Sequence, residues 1–213
     1  MSSLIVLETR GTYQFKPWFQ SRLRPLARRA AGAGVRANQV TLAAIGLSAA
    51  TGVTLLVGNR TAWFFWLPPV LLTRMALNAL DGILAREFGQ ATRLGVFLNE
   101  LGDVISDVFL ILPFAHVPGF SPFWIWIVAV SAVISEMAGV VAVMAGANRS
   151  YDGPMSKSDR AAVLAVLGLW IGLAGGIPPA AARWVPIAME FLIILTIAQR
   201  VRAGSKETKE GAR

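Results

Sequence analysis

The amino-acid sequence predicts an all-α integral membrane protein: six transmembrane helices preceded by an amphipathic interfacial helix, with both termini cytoplasmic. Three observations predict it. Of the 213 residues, 55% are hydrophobic and 15% charged, and mean hydropathy is +0.58, which does not suit an ordinary soluble domain. The apolar residues form continuous runs of bilayer-crossing length and do not alternate, which favours helices over a membrane barrel. The basic residues gather in every second stretch between runs, the pattern that fixes a membrane protein's orientation. A formal charge of +8 would suit a nucleic-acid partner only if it covered a soluble surface, and here it does not. No nucleic acid is expected. The absence of cysteine excludes disulfides and thiolate metal sites. The first twenty residues lack an apolar core followed by a small-residue cleavage site, so no signal peptide is expected.

The chain divides into a tail and interfacial helix over 1–37, a six-helix membrane domain over 38–202, and a polar cytoplasmic tail over 203–213. Residues 1–12 read as a mobile end. From Tyr13 to Ala30, Phe15, Trp18, Phe19, Leu23 and Leu26 mix with Lys16, Arg22, Arg24, Arg28 and Arg29. That suits a helix with its apolar side in the membrane and its basic side towards anionic headgroups. Pro17 and Pro25 limit its regularity, and an irregular basic linker is the alternative. The first span runs from Asn38 to about Val57 and the second from Thr61 to Arg86, with Pro68-Pro69 expected to kink it. The third covers Thr92 to Pro113, the fourth Pro122 to Ala145, the fifth Ser158 to Leu173 and the sixth Ala180 to Val201. The tail AGSKETKEGAR is polar and expected to be disordered.

Six spans with cytoplasmic ends place nearly all loop cations on one side. These are the N-terminal flank, Arg86 and Arg93, then Arg149, Lys157 and Arg160, then the tail. The opposite loops hold Arg60, with Arg183 near the start of the sixth helix.

Between Arg74 and Asp107 the chain places Asn78, Asp81, Asn99, Glu100, Asp103 and Asp107 inside two such spans. Each ionised group at membrane depth costs about 2.5–3.5 kcal/mol, so the four carboxylates together cost about 10–14 kcal/mol. Something cationic must offset that. At about 100° per residue, Asn78, Asp81, Gly82 and Ala85 share one face of the second span, with Arg74 inside that arc. Asn99, Glu100, Asp103 and Asp107 share a face of the third, with Gly95 a turn earlier. Two oxygen-rich faces in a cytoplasm-facing cavity suit a hard divalent cation, Mg²⁺ or Mn²⁺, holding a phosphate or diphosphate. A polar helix contact in which Arg74 and Arg86 pair the acids is the plainer reading.

The stretch Asn78-x2-Asp81-Gly82-x2-Ala85-Arg86-x8-Gly95-x3-Asn99-x3-Asp103 resembles the signature of the CDP-alcohol phosphotransferases, Asp-x2-Asp-Gly-x2-Ala-Arg-x8-Gly-x3-Asp-x3-Asp. Every spacing matches, and Asn replaces Asp at two positions. The likeness extends along the chain, through Ala37-Asn38-Gln39-Val40-Thr41 before the first span and the six spans themselves. It is greatest to bacterial members, which implies the cytoplasmic (inner) membrane and an active site facing the cytoplasm. The resemblance implies transfer of a substituted phosphate from a CDP-linked alcohol, usually CDP-diacylglycerol, to an acceptor hydroxyl with release of CMP. It also implies two divalent metals, a homodimer, Asp81 as a metal ligand and Asp103 as general base that also touches metal. Gly82, Ala85 and Gly95 would then line the cytidine pocket, with Arg86 near it.

Asn78 and Asn99 can offer amide oxygens to a metal but no charge. Glu100 and Asp107, on the same helical face, are candidates to restore it; otherwise one ion binds, or the protein binds a CDP-lipid without turnover. The 153–160 segment supplies Lys157 and Arg160, and Arg149 precedes it, a basic group suited to a phosphorylated acceptor such as glycerol 3-phosphate. Ordinary topology-setting charge is the alternative. Glu136, mid-membrane, either pairs with Arg74 or binds the acceptor hydroxyl; Glu190 has no evident partner, and His116 reads as surface. Gly168-x3-Gly172 and Ala138-x3-Ala142-x3-Gly146 are small-residue ridges for the bundle interior or a dimer.

Overall fold

Helices begin in this chain where the sequence removes or satisfies the amide groups of a first turn. Pro68 and Pro69 open a helix because their missing N–H groups fall where no intrahelical acceptor exists. The computed structural model, which describes residues 15–58, 60–149 and 153–210, accordingly shows no kinked second span. A 3-10 turn over Thr61–Trp66 gives way to α3 (Leu67–Glu87). Thr92 caps α4 (Arg93–Ile111), its hydroxyl accepting from the Gly95 amide at 2.9 Å. A further 3-10 turn, Leu112–His116, takes the stretch in which Pro113 was expected to end the span. Pro122 starts α5 (Pro122–Met144). Ser156 and Asp159 form a capping box on α6 (Lys157–Ala174). The set is completed by α1 (Phe15–Gly32), which contains Pro25, by α2 (Ala37–Val57) and by α7 (Pro179–Glu210). Among the described residues there is no strand. Residues 1–12 and Tyr13 lie outside the described residues.

The tail differs from expectation. Instead of ending near Val201, α7 continues through the 203–210 segment. Ala203, Lys206 and Glu207 favour helix. Gly204 is buried against α5, where an added Cβ would lie 3.0 Å from the Ala142 methyl.

Three helical segments, Ala37–Val57, Pro122–Met144 and Pro179–Lys206, are long and apolar enough to cross a membrane. The other three expected spans are more polar and are not among them: α3 holds Arg74, Asp81, Arg86 and Glu87, α4 holds Arg93, Glu100, Asp103 and Asp107, and α6 holds Lys157, Asp159 and Arg160. Those charges converge at one end of the bundle. α2 packs on α3 and α4, α5 on α7, α6 on α3 and the turn before it, and α1 on α3. The larger apolar core, including Leu67, Leu110, Phe114, Val128, Leu167 and Ile193, fills the opposite half. A smaller cluster of Ala27, Val40, Leu80, Ile83 and Leu84 ties α1 and α2 to α3.

The glycine ridge of α6 serves the bundle interior. A Cβ on Gly172 would lie 2.3 Å from the Phe65 amide nitrogen, and one on Gly168 2.8 Å from the Leu67 Cβ. Gly172→Ala is therefore expected to destabilise the fold by about 1–3 kcal/mol through overpacking. Gly176→Ala, where the same atom meets nothing within 4 Å, should not. Thermal unfolding of the two variants in detergent checks this.

Candidate active site

The polar end is built from the turn joining α3 to α4. Gln90 in that turn accepts from the Ala37 amide at 2.7 Å and donates to the Val35 carbonyl at 3.2 Å. Asn38 donates to Thr92 at 3.2 Å. These bonds fix the first turn of α2 beside α3, and one turn later the buried Thr41 hydroxyl reaches Asp81 Oδ2 at 2.8 Å. On the same face of α3, the Asn78 amide donates to Asp103 Oδ1 at 3.2 Å, joining α3 to α4. Asp81 follows Asn78 by three residues and shares that face of the helix. Asn78, Asp81 and Asp103 therefore face one site, as the helical period predicts.

Asp103 is the most engaged of the half-buried acids. Lys157 forms an ion pair with its Oδ1, and Arg74 lies 3.6 Å from the same oxygen while donating to the Asp103 carbonyl at 3.3 Å. Among the described residues no donor reaches Oδ2, and the side chain keeps 23% of its surface exposed.

Behind Asp103 runs a web of alternating charges. Asp107 accepts from Arg74 at 3.0 Å on Oδ1 and from Arg160 at 2.7 Å on Oδ2. Arg160 also donates to Glu136 Oε1 at 2.9 Å and to the Met155 carbonyl at 3.1 Å. Arg200 lies 3.4 Å from Glu136 Oε1 and donates to the Ser135 carbonyl at 2.6 Å. Arg149 pairs with Glu100 and lies 3.5 Å from Glu136 Oε2.

Several expectations change here. Both oxygens of Asp107 face arginines and Glu100 faces Arg149, so neither stands ready to replace the charge that Asn78 and Asn99 lack. Arg160 is 1% exposed and fully engaged, a buried strut unable to meet an acceptor directly. Glu136 is buried among Arg160, Arg200 and Arg149, and Arg74 serves the aspartates of α4 instead. Arg149 and Lys157 are the members of the expected acceptor group that retain exposure. Asn99 is exposed at the site's edge. Glu190 does have a partner: Ser131 donates to it at 2.8 Å.

The absent side chains of Gly82 and Gly95 let neighbouring side chains lie against the backbone of α3 and α4. An added Cβ on Gly82 would lie 2.9 Å from the Arg86 guanidinium, and one on Gly95 2.8 Å from Asn38 Oδ1. Ala85 packs against the small apolar cluster below them, and Arg86 is exposed.

Sequence reasoning missed Thr41 and Arg200. The signal for Arg200 was present, because Met189, Ile193, Thr196 and Arg200 recur at helical spacing and all four are buried. Thr196 also anchors the loop before α6, accepting from the Met155 amide at 2.9 Å. Thr41 gave no signal separable from an ordinary helix threonine.

The donor set was weighed against a metal. Asp81 and Asp103 with the Asn78 and Asn99 amides are hard oxygen donors of the kind Mg²⁺ and Mn²⁺ take. Among the described residues no three His, Asp or Glu side chains form a group that could hold a metal by themselves. These donors fit one divalent ion completed by substrate oxygens. The web supplies no surplus of negative charge for two.

Residues 35–198 match the CDP-alcohol phosphatidyltransferase family. The chain belongs to that family. It is 45% identical over 185 residues to the inner membrane protein YnbA of Escherichia coli (strain K12), covering 87% of this chain and 90% of that one. Two solved structures of phosphatidylinositol phosphate synthase from Mycobacterium tuberculosis share the fold at 21% identity and a TM-score of 0.70. The first, with CDP-DAG bound, is covered over 92% of its chain and 84% of this one. The second, in complex with manganese and citrate, is covered over 87% against 84%. As a member of a phosphatidyltransferase family the chain is an enzyme, and its motif residues fall at the charged end of the bundle.

Proposed function

We propose that this chain is a multi-pass inner-membrane enzyme that moves the phosphatidyl group of CDP-diacylglycerol to the hydroxyl of a small alcohol and releases CMP. Six spans with both ends in the cytoplasm place the site at the inner leaflet, and a homodimer belongs to the same reading. The observation that carries it is Asp103, half-buried, with Oδ1 held by Asn78, Lys157 and Arg74 and part of the carboxylate still exposed.

In this reading Asp81, Asn78, Asp103 and Asn99 hold Mg²⁺ or Mn²⁺ against the diphosphate. The ion, when bound, offsets charge that develops as the phosphoryl group transfers. Thr41 fixes the Asp81 carboxylate by its 2.8 Å bond. The Asp103 carboxylate accepts the proton of the attacking hydroxyl. Gly82, Ala85 and Gly95 leave room for the cytosine ring, with Arg86 along its edge. Arg149 and Lys157 face the anionic end of a phosphorylated acceptor such as glycerol 3-phosphate, while Arg160 and Glu136 support them from behind.

The test is CMP release by the purified chain with CDP-diacylglycerol, Mg²⁺ or Mn²⁺ and a panel of acceptors. The panel pairs glycerol 3-phosphate with glycerol and inositol 1-phosphate with inositol. CMP is expected with a phosphorylated acceptor and not with its unphosphorylated partner. A second reading, a CDP-lipid-binding protein without turnover, has Asn78 and Asn99 in its favour. It prevails if no pairing yields CMP.

A further inference from the structure

We propose that Lys157 is a resident cation of the active site, its ammonium held on Asp103 where a second divalent ion would otherwise sit. The inference rests on the divalent-metal reading above and deepens it. Lys157 enters from the first turn of α6, a helix whose start is fixed by the Ser156–Asp159 capping box. It pairs with Asp103 Oδ1, the oxygen that also accepts from Asn78, so amide and ammonium meet on the atom nearest the α3 donors. The ammonium has three donor positions, so it can hold Asp103 and still meet a substrate phosphate.

Charge accounting supports one ion. Among the described residues, the acids of the site and the web behind it are Asp81, Glu100, Asp103, Asp107 and Glu136, and the bases engaged with them are Arg74, Arg149, Lys157, Arg160 and Arg200. The two sets balance. A diphosphate diester carries one negative charge on each phosphate, and a single divalent cation neutralises it. A second ion would add two uncompensated positive charges in a poorly solvated site, where like charges are costly.

The experiment counts Mn²⁺ by electron paramagnetic resonance on the full chain in nanodiscs containing CDP-diacylglycerol. The expected result is one Mn²⁺ per wild-type chain, unchanged in Lys157→Arg. In Lys157→Gln a second ion, or an affinity raised about tenfold, is expected once the like charge is gone. Two ions per wild-type chain, with the broadened spectrum of a coupled pair, overturn the proposal whatever the variants do. So does a Lys157→Gln chain whose stoichiometry and affinity equal the wild type's. If none of the three chains binds Mn²⁺, the metal-dependent reading of the site falls first, and this inference with it.

Discussion

Asp103→Asn is expected to lower the rate of CMP release by about 10²–10⁴-fold, the usual contribution of a positioned general base. The change keeps the shape of the side chain and an oxygen able to accept from Lys157 and Arg74. It removes the proton-accepting capacity of the carboxylate. The loss should fall mainly on kcat, with a smaller rise in the KM for CDP-diacylglycerol, because the ion against the diphosphate loses one charged ligand while the cytidine pocket is formed by other residues. Thermal unfolding of the variant should stay within a few degrees of wild type, since 23% of the Asp103 side chain is exposed and its neighbours keep their partners. Single-turnover CMP release separates the two effects. A variant that turns over at the wild-type rate would assign the proton to another group.

Arg160→Met is expected to act on stability instead, by about 3–5 kcal/mol. The guanidinium is 1% exposed and bridges Asp107 on α4 to Glu136 on α5, while a further nitrogen holds the Met155 carbonyl. Methionine fills a similar volume but leaves Asp107 with Arg74 alone and Glu136 with only the longer contacts to Arg200 and Arg149, so the buried web is one positive charge short, which is what makes such deletions costly. For a chain of this size the fall in Tm would be roughly 6–20 °C. Adding Asp107→Asn and Glu136→Gln to the variant should recover part of the loss, because no carboxylate is then short of a cation, while Arg74 keeps Asp103 and Arg200 keeps the Ser135 carbonyl. Unfolding of the single and triple variants in one detergent measures both. A single-variant loss below about 1 kcal/mol would mean that apolar packing alone holds α4, α5 and α6 together.

The two predictions separate chemistry from support within one cluster of charges. Asp103 and Asp107 lie four residues apart on α4, one helical turn. Asp103 stays partly exposed at the mouth of the site, and Asp107 is closed between two arginines. That difference appears only when α6 is folded against α3.

What the sequence determined by itself was whatever depends on distance along one helix. The long apolar runs specify helices, and the spacing of Asn78, Asp81, Asn99 and Asp103 places them on two faces before any tertiary contact is known. The spacing is also enough to point to the family. What only the tertiary structure decided was which charge meets which. Asp107 and Arg160 are 53 residues apart, and Thr41 and Asp81 are 40. The helical spacing of Met189, Ile193, Thr196 and Arg200 turns Arg200 inward and leaves Lys206 on the exposed face of the same helix, but no linear pattern says which acid Arg200 meets. The sign of a charge is written in the chain, but its partner is set by how helices distant in sequence pack, because Coulomb attraction in a poorly solvated interior depends on separation in space.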